Sequence, residues 1–322
     1  MEGGKAARDK SMNDHSHDNM IFRRGTFSLS WLLVILLGVS ALAQHSADPL
    51  FKATVESPAF TKNFPRVLFD EGHYNSETIN GRYKPFADLL FGDGYHVVAN
   101  RKPFTKESLQ TFKVLVIVNP LGAEDSDEEG ADGPAFTAAE CDAIANWIRN
   151  GGSLLLVVDP SPFAASAEIL AKRLELVMSK TVATDPATAD KESRELGVIA
   201  YTRENQLLAV HGITNGRSES ERVNRVFTFS GQSLTGPTGS DILLKLPETA
   251  IDTQLKGTTA VGRAQGIAFR LGKGRVVALG DAAMLSAQVT GSDHAPFGMN
   301  TPGADNKQLT LNIMHWLSGL LK

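Results

Sequence analysis

The sequence predicts an α/β fold: an open, mostly parallel sheet with helices on both faces and a C-terminal antiparallel hairpin. Two observations carry this. Four apolar runs each stop at a polar or acidic residue: 67–69 at Asp70-Glu71-Gly72-His73, 114–118 at Asn119-Pro120, 154–158 at Asp159-Pro160, and 276–279 at Gly280-Asp281. The second run is apolar throughout, as expected for a strand covered on both faces, and segments with apolar residues at helical spacing stand between the runs. In open sheets ligands bind outside the carboxyl ends of the strands, where the strand order reverses. The candidate crevice residues are therefore Asp70, Glu71, His73, Asn119, Asp159, Ser161, Asp281 and His294.

Taken in chain order, Pro49, Pro58 and Pro65 mark 44–65 as a linker or first strand region, with the folded domain expected over 66–322. A strand at 66–70 leads to a helix at 84–91, whose apolar face is Phe86, Leu89 and Leu90 and which Gly92-Asp93-Gly94 stops. Strands follow at 95–98 and 113–118. Thr137-Ala-Ala-Glu140 is a capping box, in which threonine accepts an amide and glutamate reaches back. The helix it opens places Cys141, Ile144, Ala145 and Ile148 on one face and ends near Gly151-Gly152. A strand at 153–158 and a helix at 161–177 come next. Between 179 and 247 the pattern weakens to strand-like pieces at 198–201, 207–210 and 226–229, consistent with an inserted lobe. Strands at 266–271 and 275–279 flank the turn Gly272-Lys273-Gly274, and a last helix at 306–321 carries a stripe of Leu309, Ile313, Trp316, Leu317 and Leu320.

A chain of 322 residues, 42% hydrophobic and 21% charged, can bury a large core. Its net charge of −4, with no basic run interleaved with aromatics, argues against a nucleic-acid partner. Residues 1–43 read as a signal peptide or N-terminal anchor: Arg23-Arg24, an apolar core at 31–40, then Ala41-Leu42-Ala43. The core is shorter than the roughly 20 residues of a membrane span, which favours cleavage after Ala43. A start at Met20 gives a compact leader, and His15 and His17 fall before it. The expected location is exported, periplasmic or extracellular, and membrane-tethered if the leader stays uncut. The single cysteine, Cys141, allows no intrachain disulfide.

Four segments, Val67-Leu-Phe-Asp-Glu-Gly-His73, Tyr83-Lys-Pro-Phe-Ala-Asp-Leu-Leu90, Gly272-Lys-Gly-Arg-Val-Val-Ala-Leu-Gly-Asp281 and 306–319, resemble a known group. It is that of secreted proteins with a class I glutamine amidotransferase-like domain, including auxiliary proteins of ABC-type transport and gliding-motility systems. The resemblance runs over about 66–321, is weakest between 179 and 247, and implies a flavodoxin-like sheet. Active members place a cysteine on a tight turn after a central strand. Here that turn is Asp159-Pro160-Ser161-Pro162, and Cys141 lies a strand earlier, so the family's nucleophile does not carry over.

Two chemistries compete. Asp70, His73, Asp281 and a folded-back His294 offer imidazoles and carboxylates suited to a divalent metal such as zinc, with Glu71 activating water in a metal-assisted hydrolase. The simpler expectation is that these acids cap loops and helix termini. Ser161 lacks the flanking glycines of a nucleophile elbow. Asp125-Ser-Asp127-Glu-Glu129-Gly130 imitates a calcium loop but has Phe136 where the bidentate glutamate belongs. The function expected from the sequence is a non-catalytic binding or assembly domain without cofactor, holding a small polar ligand or an envelope partner such as an ABC-type membrane complex. The metal-assisted hydrolase is the alternative.

Overall fold

The structure is a computed structural model that describes residues 45–187, 197–253, 258–291 and 295–322. The proposed leader and His294 lie outside the described residues. Among the described residues, no helix is long and apolar enough to cross a membrane.

In chain order the elements are β1 (Ser46–Ala47), β2 (Arg66–Asp70), α1 (Lys84–Gly92), β3 (His96–Asn100), α2 (Lys106–Leu109), β4 (Val114–Val118), α3 (Ala138–Arg149) and β5 (Ser153–Val157). Next come α4 (Phe163–Ser166), α5 (Glu168–Arg173), β6 (Val177–Thr184), β7 (Val198–Thr202), α6 (Gly212–Asn215), β8 (Arg225–Phe229), β9 (Gln232–Thr235) and β10 (Asp241–Lys245). The chain ends with β11 (Ile251–Asp252), β12 (Thr258–Thr259), β13 (Ala264–Leu271), β14 (Gly274–Leu279), β15 (Ala287–Thr290), β16 (Ala295–Gly298) and α7 (Asn306–Ser318).

Eleven strands form one mixed sheet. Its parallel part runs β3-β2-β4-β5-β14, which is the 2-1-3-4-5 order of flavodoxin-like sheets. The four apolar runs are thus neighbours pointing the same way, and their polar ends share an edge. Beyond β14 every pairing is antiparallel: β13 pairs with β14, β9 and β10, then β9 with β6, β6 with β11 and β11 with β12. The antiparallel share is larger than the single hairpin expected from sequence, because the weakly patterned 179–247 segment supplies strands that extend the sheet. β7 and β8 pair separately, as do β1, β15 and β16.

Alternation along the strands sends side chains to two cores. Val67, Phe69, Val114, Val116, Val118, Leu155 and Val157 face the layer containing Phe86 of α1 and Leu309, Ile313 and Trp316 of α7. Leu68, Leu115, Ile117, Leu154 and Leu156 face the opposite layer, with Cys141, Ile144 and Ile148 of α3 and Leu170 of α5. Such a strand must be apolar on both faces, which is what the runs show. The capping box forms as the sequence indicates: Thr137 Oγ1 accepts the Glu140 amide at 3.3 Å and Glu140 Oε2 accepts the Thr137 amide at 3.0 Å.

The helix expected at 161–177 is instead two short helices. The chain breaks at Ala167, turns at Glu175 in the left-handed region (φ 57°), and continues as β6, where β-branched Val177, Thr181, Val182 and Thr184 favour a strand. Phe51, Ala53 and Val55 of the expected linker pack against Leu89, Ala287, Met299 and Leu311.

Candidate functional site

The predicted edge residues separate into two groups. At the end of β2, the buried Asp70 holds the ring of His73, with Nδ1 at 2.8 and 2.9 Å from its two oxygens. The other ring nitrogen, Nε2, lies 3.0 Å from Oε1 of Glu140. Phe104 and Phe136 flank the imidazole, at centroid distances of 5.0 and 4.5 Å. Burial alone would lower the pKa of His73, but hydrogen bonds and charge from Asp70 and Glu140 raise it above its ordinary value. Burial likewise pushes Glu140 up, yet the backbone and hydroxyl of Thr137, His73 and the Phe104 amide together hold it down to about 2. His73 is therefore a cationic pin between a strand tip and a helix N-terminus.

Glu71 is also fully employed: Oε1 accepts the Ile79 amide at 2.9 Å and Oε2 accepts Arg101 at 2.8 Å. Asn75 closes the gap between β2 and β4, where the strand order reverses, donating to Asp70 at 3.1 Å and to the Val118 carbonyl at 3.0 Å. The Ser76 amide donates to the Asn119 carbonyl beside it. The switch point, where sheet topology alone would put a ligand, is filled by the chain's own 71–79 loop.

The open space lies further along the edge, over β5 and β14. A cavity of about 710 Å³ is lined by Asp159, Asp281, Arg225, Phe227, Phe229 and Phe297, among others. Asp159 follows β5 and is half-buried. Its Oδ1 accepts the Ala282 amide at 2.7 Å, and its Oδ2 accepts the side-chain amide of Asn119 at 2.7 Å. Asn119 in turn accepts the Asp159 amide at 2.8 Å, from a backbone with φ 43°. Asp281 is buried; Oδ1 accepts the Ala283 amide at 2.9 Å and Oδ2 accepts the Phe229 amide. Burial raises the pKa of both acids, and the negative charge of Asp159 raises Asp281 further, well above the usual carboxylate range. Tyr83 closes the floor from below, donating to the Ala282 carbonyl at 2.6 Å.

Of the proposed metal ligands, Asp70 and His73 meet each other, while Asp281 is held by amides of β8 and the 283 turn. Both nitrogens of His73 are already occupied by carboxylates, and among the described residues no group of three or more His, Cys, Asp or Glu is placed to hold a metal ion. These donors do not fit a metal. Ser161 is exposed, and its amide donates to the Lys180 carbonyl at 3.1 Å. Cys141 is buried on α3, where burial pushes its thiol up to about 11. Native protein at pH 8 is expected to resist a maleimide reagent that labels it rapidly once unfolded; fast native labelling would contradict this placement.

Sequence reasoning missed Arg225, Phe227, Phe229 and Phe297. The signal for the first three was their alternation in Arg225-Val-Phe-Thr-Phe229, but period two alone does not say which face meets a cavity.

No protein-family model matches the chain, and no curated protein does either. Among solved structures it is similar to the mmIFT52 N-terminal domain, with a TM-score of 0.56 and 14% identity over 79% of this chain and 97% of that one. The likeness is one of fold. Weaker similarities reach a ThuA-like protein from Bacteroides uniformis, with TM-score 0.43 and 14% identity over 84% of this chain and 95% of that one. A GMP synthase protein from Thermoplasma acidophilum also has TM-score 0.43, with 10% identity over 80% of this chain and 96% of that one.

Proposed function

We propose that this chain is an exported, non-catalytic binding domain of the glutamine amidotransferase-like superfamily, which holds a small polar ligand in the cavity over β5 and β14. The observation that carries the reading is the turn after β5. Where a nucleophile would stand, the chain has Asp159-Pro160-Ser161-Pro162, and Asp159 is fixed by the Ala282 amide and Asn119 rather than aligned with a base. A pocket of acids and aromatics anchored by backbone amides suits retention of a ligand, since fixed groups bind without reorganising.

The test is recovery of ligand. Purified protein equilibrated with a small-molecule extract and desalted should carry one compound at near-stoichiometric level, released unchanged on denaturation. Thr290→Trp, which fills the cavity from β15, should carry none. Recovery of a chemically altered product, growing with time, would overturn the non-catalytic reading. N-terminal sequencing of the mature chain tests export, with cleavage after Ala43 the expected result.

A further inference from the structure

We propose that the ligand is amphoteric: a protonated amine seated at Asp159 and Asp281, an anionic group at Arg225, and an aliphatic stretch between them against Phe227 and Phe229. This deepens the proposed binding function and rests on it. The geometry comes from one strand. Arg225, Phe227 and Phe229 alternate along β8 and all line the cavity, while Val226 packs into the core and Thr228 donates to Gln265 on the other side.

At one end the Phe229 amide donates to Asp281. The floor there gathers two carboxylates, and the Arg82 cation that acts on Asp159 is already paired with Glu77 at 2.9 Å. Each oxygen of Asp159 accepts one hydrogen bond and retains a lone pair for another. An ammonium placed there would satisfy those lone pairs and relieve the repulsion between the acids.

At the other end the Arg225 guanidinium lies 4.7 Å from the centre of the Phe227 ring. Among the described residues, no carboxylate forms an ion pair with it. Two residues of strand separate Phe227 from Phe229, which sets the two charged ends about 7 Å apart. That gap matches an extended ω-amino acid. Phe297 stands across from Phe229 at a centroid distance of 5.7 Å and completes an apolar wall.

Four probes of one length test the charges separately: 6-aminohexanoate, hexylamine, hexanoate and hexane-1,6-diol, each titrated calorimetrically into the protein at pH 7.5. The expected result is that 6-aminohexanoate binds about tenfold or more tightly than any other. Asp159→Asn should remove its advantage over hexanoate, and Arg225→Gln its advantage over hexylamine. Tighter binding of the diol, equal binding of all four, or no binding of any would overturn the amphoteric assignment, and the wild-type series decides this even if a variant misfolds. The ligand-recovery experiment with Thr290→Trp judges the binding function separately, so failure of one is distinguishable from failure of the other.

Discussion

Glu140→Ala is expected to lower the unfolding free energy by about 3–5 kcal/mol, the cost of removing one partner from a buried ion pair. The truncation does three things at once. It leaves Nε2 of His73 without its acceptor, frees the Phe104 amide now bonded at 3.1 Å, and dissolves the capping box at the start of α3. The cap by itself is worth about 1 kcal/mol, so a loss of that size alone would mean that the His73 contact contributes nothing. Chemical denaturation at constant m-value measures it.

The deficit should depend on pH in a defined direction. The folded-state pKa of Glu140, about 2, lies below its ordinary 4.5, so its contribution is present above pH 4.5 and is lost as pH falls toward 2. The pKa of His73 is raised from 6.5, so its contribution is present below pH 6.5 and is lost as pH rises through the folded value. The gap between wild type and Glu140→Ala should therefore be widest between about pH 4.5 and 6.5.

The second large effect lies in the core. Phe69→Ala should cost about 3–5 kcal/mol, because Phe69 is buried in the centre of the sheet with the rings of Tyr83 and Phe86 at 5.8 and 6.2 Å. Phe91, on α1 and 79% exposed, is the control: Phe91→Ala should change stability by less than about 0.5 kcal/mol. Comparable losses at the two positions would mean that α1 is packed in a different rotation against β2.

The parallel half of the fold was legible because its strands are apolar on both faces and end abruptly, a signal that survives without tertiary context. Thr137 and Glu140 announced α3 for a similar reason, since a capping box is local chemistry. What the sequence left hidden depends on contacts between distant segments. That Glu140, besides capping its helix, reaches His73 is a matter of how the 71–79 loop folds over β4. The same loop occupies the switch point, so the cavity moved to β5 and β14, and only Asp159 and Asp281 of the expected crevice line it. The strands from 177 to 259 escaped notice as part of the main sheet because they are short and partly polar, and pairing partners far along the chain stabilise them.

The central claim is that polar tips of strands remote in sequence meet at one edge and form the floor of a binding cavity. The Ala282 amide, 2.7 Å from Oδ1 of Asp159, reports on it directly. In a pH titration followed by amide NMR, the Ala282 proton should shift with an acid whose pKa lies above the usual aspartate value of 3.8, and Asp159→Asn should abolish that shift while leaving the fold intact. An Ala282 amide indifferent to both pH and the Asp159 substitution would contradict the account.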